Sequence, residues 1–293
     1  MLQRLVCAFF LGLFSLSAAA IAPYIGGDKL QAGEWSAVAG QVEAKLRGAG
    51  FQVIGRYLPK GQSSFGVVVV TDEAMLAKVH ALGGTNILAA PIRVGVGADG
   101  SVAYMNPDYW YRAYFRSAFS QVEDTARAVQ SLLAKTLGAG PGMGGDESAA
   151  SLPKYRYMIG MERFDDPQNV LAKYASFDDA VKTVRDNLAK GLAGVSKVYE
   201  IVMPEKKVAV FGVAMNSPVN GDTVLLTKIG VQDRSAALPY EMFVVNNEVR
   251  ALFARYRLAL AFPDLGMGQF MRIVSAPGEI RSTLLTVAGG STE

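Results

Sequence analysis

The sequence predicts an α+β protein of two similar domains, each a four-stranded antiparallel sheet with helices on one face, and two observations carry that prediction. One order of signals, helix, strand, strand, helix, strand, strand, helix, occurs twice along the 293 residues. Between the two copies, GAGPGMGGDESAASLP after Leu137 is too rich in Gly, Pro, Ser and Ala to build a core and reads as a linker. The expected boundaries are residues 34–138 for the first domain, 139–153 for the linker and 154–289 for the second.

The first copy opens with a helix over Trp35 to Phe51, where Val38, Val42 and Leu46 share one face and Gly48 and Gly50 supply the stop. The second opens at Ser176, a fitting N-cap, with Asp178 and Asp179 in the first turn and Val181, Val184 and Leu188 on the apolar face. Paired strands follow, FQVIGRYLP with FGVVVV and SKVYEIVMP with KVAVFGVAM. A short helix then leads in each copy to an apolar strand that begins at a proline, Pro91 or Pro239, then to a tight turn and a further strand, SVAYM or EVRALFARY. SQVEDTARAVQSLLAKTL closes the first copy as a helix, and a shorter one over about Gly278 to Val287 closes the second. FGVVVV is apolar on both sides of its strand, so the free faces of the two sheets are expected to bury each other as an intramolecular pseudo-dimer.

Gly95, Gly97 and Gly100 spell G-x-G-x-x-G, the dinucleotide fingerprint. That motif needs a helix after it, whose N-terminus meets the pyrophosphate. Here SVAYM follows and reads as a strand. Asp99-Gly100 between two strands signals a hairpin, expected as a type I′ turn, and Asn246-Asn247 holds the same place in the second copy. Gly95 and Gly97 then mark a close approach of backbone or ligand, or a bulge.

The first twenty residues, MLQRLVCAFFLGLFSLSAAA, carry one basic residue, an apolar stretch from Leu5 to Leu16 and a small-residue run, the pattern of a secretory signal cleaved after Ala20. An uncleaved anchor is the alternative reading. Cleavage removes Arg4 and the only cysteine, Cys7, leaving 28 Lys+Arg against 26 Asp+Glu and neither disulfide nor thiolate chemistry. The expected location is the periplasm or the cell exterior, with no stable membrane span after cleavage. So even a charge balance gives no basic footprint for nucleic acid.

The runs GFQVIGRYLP, FGVVVVTDEAMLAKVHAL and ILAAPIRVGVGADGSVAYMNP resemble the DUF302 family, bacterial domains of TT1751-like α+β fold, over residues 36–137 and more weakly over 176–288. The resemblance implies two tandem copies of that fold. It implies no activity, and Pro91-Ile92 lacks the cysteine that often follows this proline in the family.

Several residues are candidates for chemistry. His80, the only histidine, is a possible general base or axial haem ligand, or simply a solvent-edge residue of its helix. Met158 with Met161, and Met267 with Met271, offer soft thioethers suited to Cu(I), or fill a core beside Tyr157, Ile159, Phe270 and Ile273, which is the preferred reading. Tyr109, Trp110, Tyr111, Arg112, Tyr114 and Arg116 form a dense aromatic and basic cluster able to stack a planar ligand or grip a partner. The acidic pairs Asp165-Asp166 and Asp178-Asp179 sit beside Pro or Ser as caps. The function expected from these residues is non-enzymatic binding of a small apolar or planar ligand, or of a protein partner, near Tyr109 to Arg116. A carrier of haem or copper, and an enzyme of unassigned reaction, are the alternatives. A homodimer is a further possibility left open.

Overall fold

The computed structural model describes residues 20–290; the expected signal segment, apart from Ala20, lies outside them, as does Cys7. In chain order the elements of the first half are β1 (Ala20–Ile21), β2 (Tyr24–Gly26), α1 (Trp35–Gly48), β3 (Gln52–Tyr57), β4 (Phe65–Thr71), α2 (Glu73–Leu82), β5 (Ile92–Gly97), β6 (Val102–Met105), α3 (Pro107–Phe115) and α4 (Glu123–Leu137). Two short strands follow, β7 (Gly142–Met143) and β8 (Glu147–Ser148). The second half comprises β9 (Val170–Lys173), α5 (Phe177–Ala189), β10 (Val195–Met203), β11 (Val208–Met215), α6 (Asp222–Ile229), β12 (Tyr240–Val245), β13 (Glu248–Arg250), α7 (Ala254–Ala261), α8 (Met267–Met271) and α9 (Ala276–Ala288).

The fold is α+β with antiparallel sheets, one six-stranded in the order β3-β4-β5-β6-β2-β7 and one five-stranded in the order β10-β11-β12-β13-β9. The expected four strands are the meanders β3 to β6 and β10 to β13. The extra strands come from ahead of the first helix of each half, where β2 pairs with β6 and β9 with β13. They cover edges that would otherwise leave a row of backbone groups unpaired. At three and four residues, they are too short to show a period of two. The Gly-rich stretch expected as a linker is also paired, β7 with β2 and β8 with β1.

Local sequence explains the helices. Asp72 caps α2 by accepting from the Met75 amide at 2.8 Å, and Ser176 caps α5 by accepting from the Asp179 amide at 3.1 Å. Val38, Val42 and Leu46 turn α1 onto the first sheet, and α4 packs beside it; α5 and α9 cover the second sheet. The opposite faces meet in the middle of the molecule. There β3 runs beside β10, the 3-10 turn at residues 84–89 lies on β11 and β12, and the turn at 232–237 lies on β4, β5 and β6. All seven residues of β4 and all eight of β11 are buried as a result. Each such valine contributes roughly 1.5–3 kcal/mol relative to exposure.

The glycines now have separate causes. A Cβ on Gly95 would lie 2.6 Å from the Ser235 hydroxyl and 2.8 Å from the Ala236 nitrogen, so this glycine admits the turn from the second half. Gly97 and Gly100 close the hairpin, with Gly100 N–H donating to the Gly97 carbonyl at 3.0 Å. The turn is not type I′. Three residues, 98–100, separate the paired Gly97 and Ser101, and Gly100 is at φ 86. That is the three-residue loop that ends in a left-handed glycine. No helix begins at Ser101; β6 does.

Candidate functional site

The aromatic cluster expected to bind ligand is instead the keystone between the halves. Asn106 caps α3, Pro107 occupies its first turn, and the helix is enclosed on several sides. Tyr109, Trp110, Tyr111 and Tyr114 are all buried, so they present no stacking surface. The Tyr109 hydroxyl donates to the Leu260 carbonyl at 2.8 Å and the Trp110 indole N–H to the Pro23 carbonyl at 2.8 Å. Arg112 pairs with Asp108 at 2.8 Å and lies over Phe119, while Arg116 donates to the Pro153 carbonyl at 3.1 Å and lies over Phe164. With Phe115, buried as well, five aromatics in seven residues are accounted for by packing.

Beside Trp110 lies a buried charge cluster that the sequence reading missed. Arg93 on β5 and Arg257 on α7 both contact the carboxylate of Glu241 on β12, and both guanidiniums lie on the Trp110 ring, at 4.8 and 5.1 Å from its centroid. Arg257 also donates to the Ala237 carbonyl at 2.8 Å. Arg93 and Glu241 each stand two residues after the proline that opens their strand. One charge of each sign at matching positions inside two apolar strands was the signal available.

The methionines expected to fill a core do something else. Met158, Met161 and Met267 line one groove of about 320 Å³ between the 155–161 segment, the C-terminal end of α7 and α8. Tyr155, Phe262 and Phe270 complete its apolar wall. Met158 and Met267 are exposed, and Met271 stands exposed one turn beyond Met267. Their core role is therefore corrected: the 157–161 loop turns back at Gly160, φ 80, and leaves Met158 and Ile159 exposed.

Beneath this groove lie packed aromatic rings and an ion pair. Tyr155 meets Tyr256 edge to face at 5.7 Å, and Tyr256 meets Phe164 at 6.4 Å. The buried Glu162 carboxylate accepts the Tyr157 hydroxyl at 2.6 Å and both the Nε and Nη2 of Arg255, a two-point pairing. Burial pushes the Glu162 carboxyl up, but the Arg255 and Tyr157 hydrogen bonds outweigh it and hold it below its ordinary range. Burial and then Glu162 hold the Tyr157 phenol neutral, well above its usual value. The pair Glu162 and Arg255, ninety-three residues apart in the chain, left no local signal.

A second cleft of about 350 Å³ opens beside Gly95 and Gly97, lined by Ser64, Asp99, Ser101, Gln232 and Asp233 among others. Asp99 is occupied by its own turn. It accepts from the Ser101 hydroxyl at 2.6 Å and amide at 3.0 Å, which hold its carboxyl below the usual range. His80 sits half exposed on α2, 3.9 Å from Glu205, and does not line the methionine groove. Among the described residues, no group of three His, Cys, Asp or Glu could hold a metal ion, and no helix is long and apolar enough to cross a membrane. Of the acidic pairs read as caps, Asp166 caps the turn at 167–169, while Asp178 and Asp179 sit in the first turn of α5 behind the Ser176 cap. Comparison of the chain with family models, with curated proteins and with solved structures finds no match.

Proposed function

We propose that this protein is a non-enzymatic binding module, exported to the periplasm or the cell exterior, which holds a small apolar or planar molecule in the methionine groove. The observation that carries the reading is the arrangement of Met158, Met161 and Met267 with Phe270 around a preformed cavity of about 320 Å³. Unbranched thioethers adapt to ligands of several shapes, and a mostly apolar wall with a few polar groups suits such ligands. Tyr155 and the Glu162–Arg255 pair give the groove a fixed base. The chain is further proposed to be two tandem units of DUF302-like fold, residues 34–138 and 154–289. Support comes from the shared element order and from the matching placement of β2 beside β6 and of β9 beside β13.

A second reading, a Cu(I) carrier, rests on the same three thioethers lining one cavity. Haem at His80 gains no such support. Titration with N-phenyl-1-naphthylamine, an apolar fluorescent probe, tests the first reading. The native chain is expected to bind it, and Met158→Glu and Met267→Glu each to weaken binding at least about tenfold, because a carboxylate must then be desolvated in the groove. Both positions are exposed, so thermal stability stays unchanged. Equal binding by native and variant chains refutes the reading. Met→Leu replacements at the same positions separate the two: they keep the dye and lose Cu(I).

A further inference from the structure

The methionine groove shares a wall with a second, smaller cavity. Leu258 and Phe262 line both. The Phe262 amide donates to the Leu258 carbonyl at 2.8 Å, so the two side chains stand one turn apart at the end of α7, and both are buried. The cavity behind them, beside Leu225 and Leu226 of α6 and Ala237, measures about 30 Å³. That is room for one water molecule or one hydroxyl group.

Four polar side chains line this cavity, and two of them are committed elsewhere. Tyr240 donates to the Leu252 carbonyl and Asn220 to the Glu279 carboxylate. Asp222 and Arg257 keep capacity. The Tyr57 hydroxyl and the Met215 amide both bond Asp222 at Oδ2, and no hydrogen bond from the described residues falls on Oδ1. Arg257 uses Nε on Glu241 and Nη2 on Glu241 and the Ala237 carbonyl, which leaves Nη1. One acceptor and one donor therefore belong to the same cavity, on side chains only 7 and 3% exposed. Leaving such groups unmatched in the interior is costly. A hydroxyl matches both at once, since its oxygen accepts one hydrogen bond and donates another. A charged head would meet a like charge, Asp222 opposing a carboxylate and Arg257 an ammonium.

We propose that the groove takes a straight-chain primary alcohol. Its methylene chain lies among Met158, Met161 and Met267, passes between Leu258 and Phe262, and ends with the hydroxyl in the small cavity, donating to Asp222 and accepting from Arg257. The inference rests on the reading of the groove as the binding site and names the chemistry of what it holds. Only a slender chain passes two side chains one turn apart, and rotamer changes of the kind common on binding open the way.

The test titrates the full native chain with 1-decanol, its methyl ether, decanoate and decylamine, each below its micellar concentration. It is run at pH 7.5, above the raised pKa of Asp222 at about 6, so that the carboxylate is present to accept. The readouts are the melting temperature and displacement of N-phenyl-1-naphthylamine. 1-Decanol is expected to raise the melting temperature and to displace the dye at least about tenfold more tightly than the other three, since the ether lacks the donor and the two ions meet a like charge. Ala237→Val, which fills the cavity and lies outside the groove lining, should bind the dye as the native chain does and lose that preference. Where this variant does not fold, the alcohol against its ether on the native chain decides alone. A dye that 1-decanol does not displace, or displaces no better than the ether, overturns the inference and leaves the binding reading in place. So does a preference that survives Ala237→Val in a chain that still binds the dye. A native chain that neither the dye nor 1-decanol affects overturns both.

Discussion

Glu241→Ala is expected to lower the free energy of unfolding by about 3–5 kcal/mol, measured by urea denaturation near neutral pH. The carboxylate is the shared partner of Arg93 and Arg257, and all three side chains are almost wholly buried. Removing it leaves two guanidiniums in the interior, and neither can shed its proton. Their contact with the Trp110 ring offsets little of that cost, since a cation over an aromatic ring contributes about 0.5–2 kcal/mol. The triple replacement of Arg93, Glu241 and Arg257 by methionine is expected to recover most of the stability, because a buried ion cluster and a packed apolar one are often nearly equivalent. A loss under about 1 kcal/mol for Glu241→Ala would show that the cluster is solvated, and so that the two halves do not close over it.

The second large effect concerns pH. Asp222 opens α6, is buried, and accepts from the Tyr57 hydroxyl at 2.6 Å and the Met215 amide at 2.9 Å, so it ties the second half to β3 of the first. Burial raises its pKa from the ordinary 3.8 to about 6, against the lowering effect of those two hydrogen bonds and of Arg257. A carboxyl raised on folding favours the neutral native state. Its stabilising contribution is full below about pH 4 and is lost as the pH rises through about 6. The rise corresponds to roughly 3 kcal/mol. Subtracting the unfolding free energy of Asp222→Asn from that of the native chain should therefore give a difference that falls by about that amount between pH 4 and 7.5. Glu162, Glu200 and Glu248 act in the opposite sense, their pKa values being lowered, and they lose stability as the pH falls below their ordinary range. They are common to both chains and cancel. A flat difference across that range would contradict the burial of Asp222.

Much of the architecture was legible because it rests on local signals. The cap at Ser176, the apolar faces of α1 and α5 and the prolines before β5 and β12 all concern residues within a turn or two of each other. The apolar run FGVVVV of β4 also announced burial on both faces. What escaped depends on partners distant in the chain. The strands β2 and β9 are strands only because an edge of β6 or β13 awaits them. Asp99-Gly100 misled on turn type, since the loop length is set by which residues pair, Gly97 with Ser101, and not by the dipeptide.

The candidate site was legible only in part. Met158, Met161, Met267 and Met271 were visible as pairs, but a methionine pattern alone does not separate core from groove; the left-handed Gly160 and the exposed face of α8 do. The aromatic run at Tyr109 to Arg116 drew attention for the right composition and the wrong reason. Its side chains fill the seam between two sheets, a demand no single stretch of sequence displays.

The claim that the groove is the binding site is tested most directly by methyl resonances. The chain has 11 methionines, and several report on distinct places: Met158, Met161 and Met267 on the groove, Met143 on the cleft beside Gly95, and Met75, Met105 and Met242 on the core. With the methionine methyls labelled in carbon-13, N-phenyl-1-naphthylamine is expected to shift Met158, Met161 and Met267 and to leave the core methyls in place. Shifts confined to Met143, or none at any of the groove methionines while the dye is bound, would contradict it.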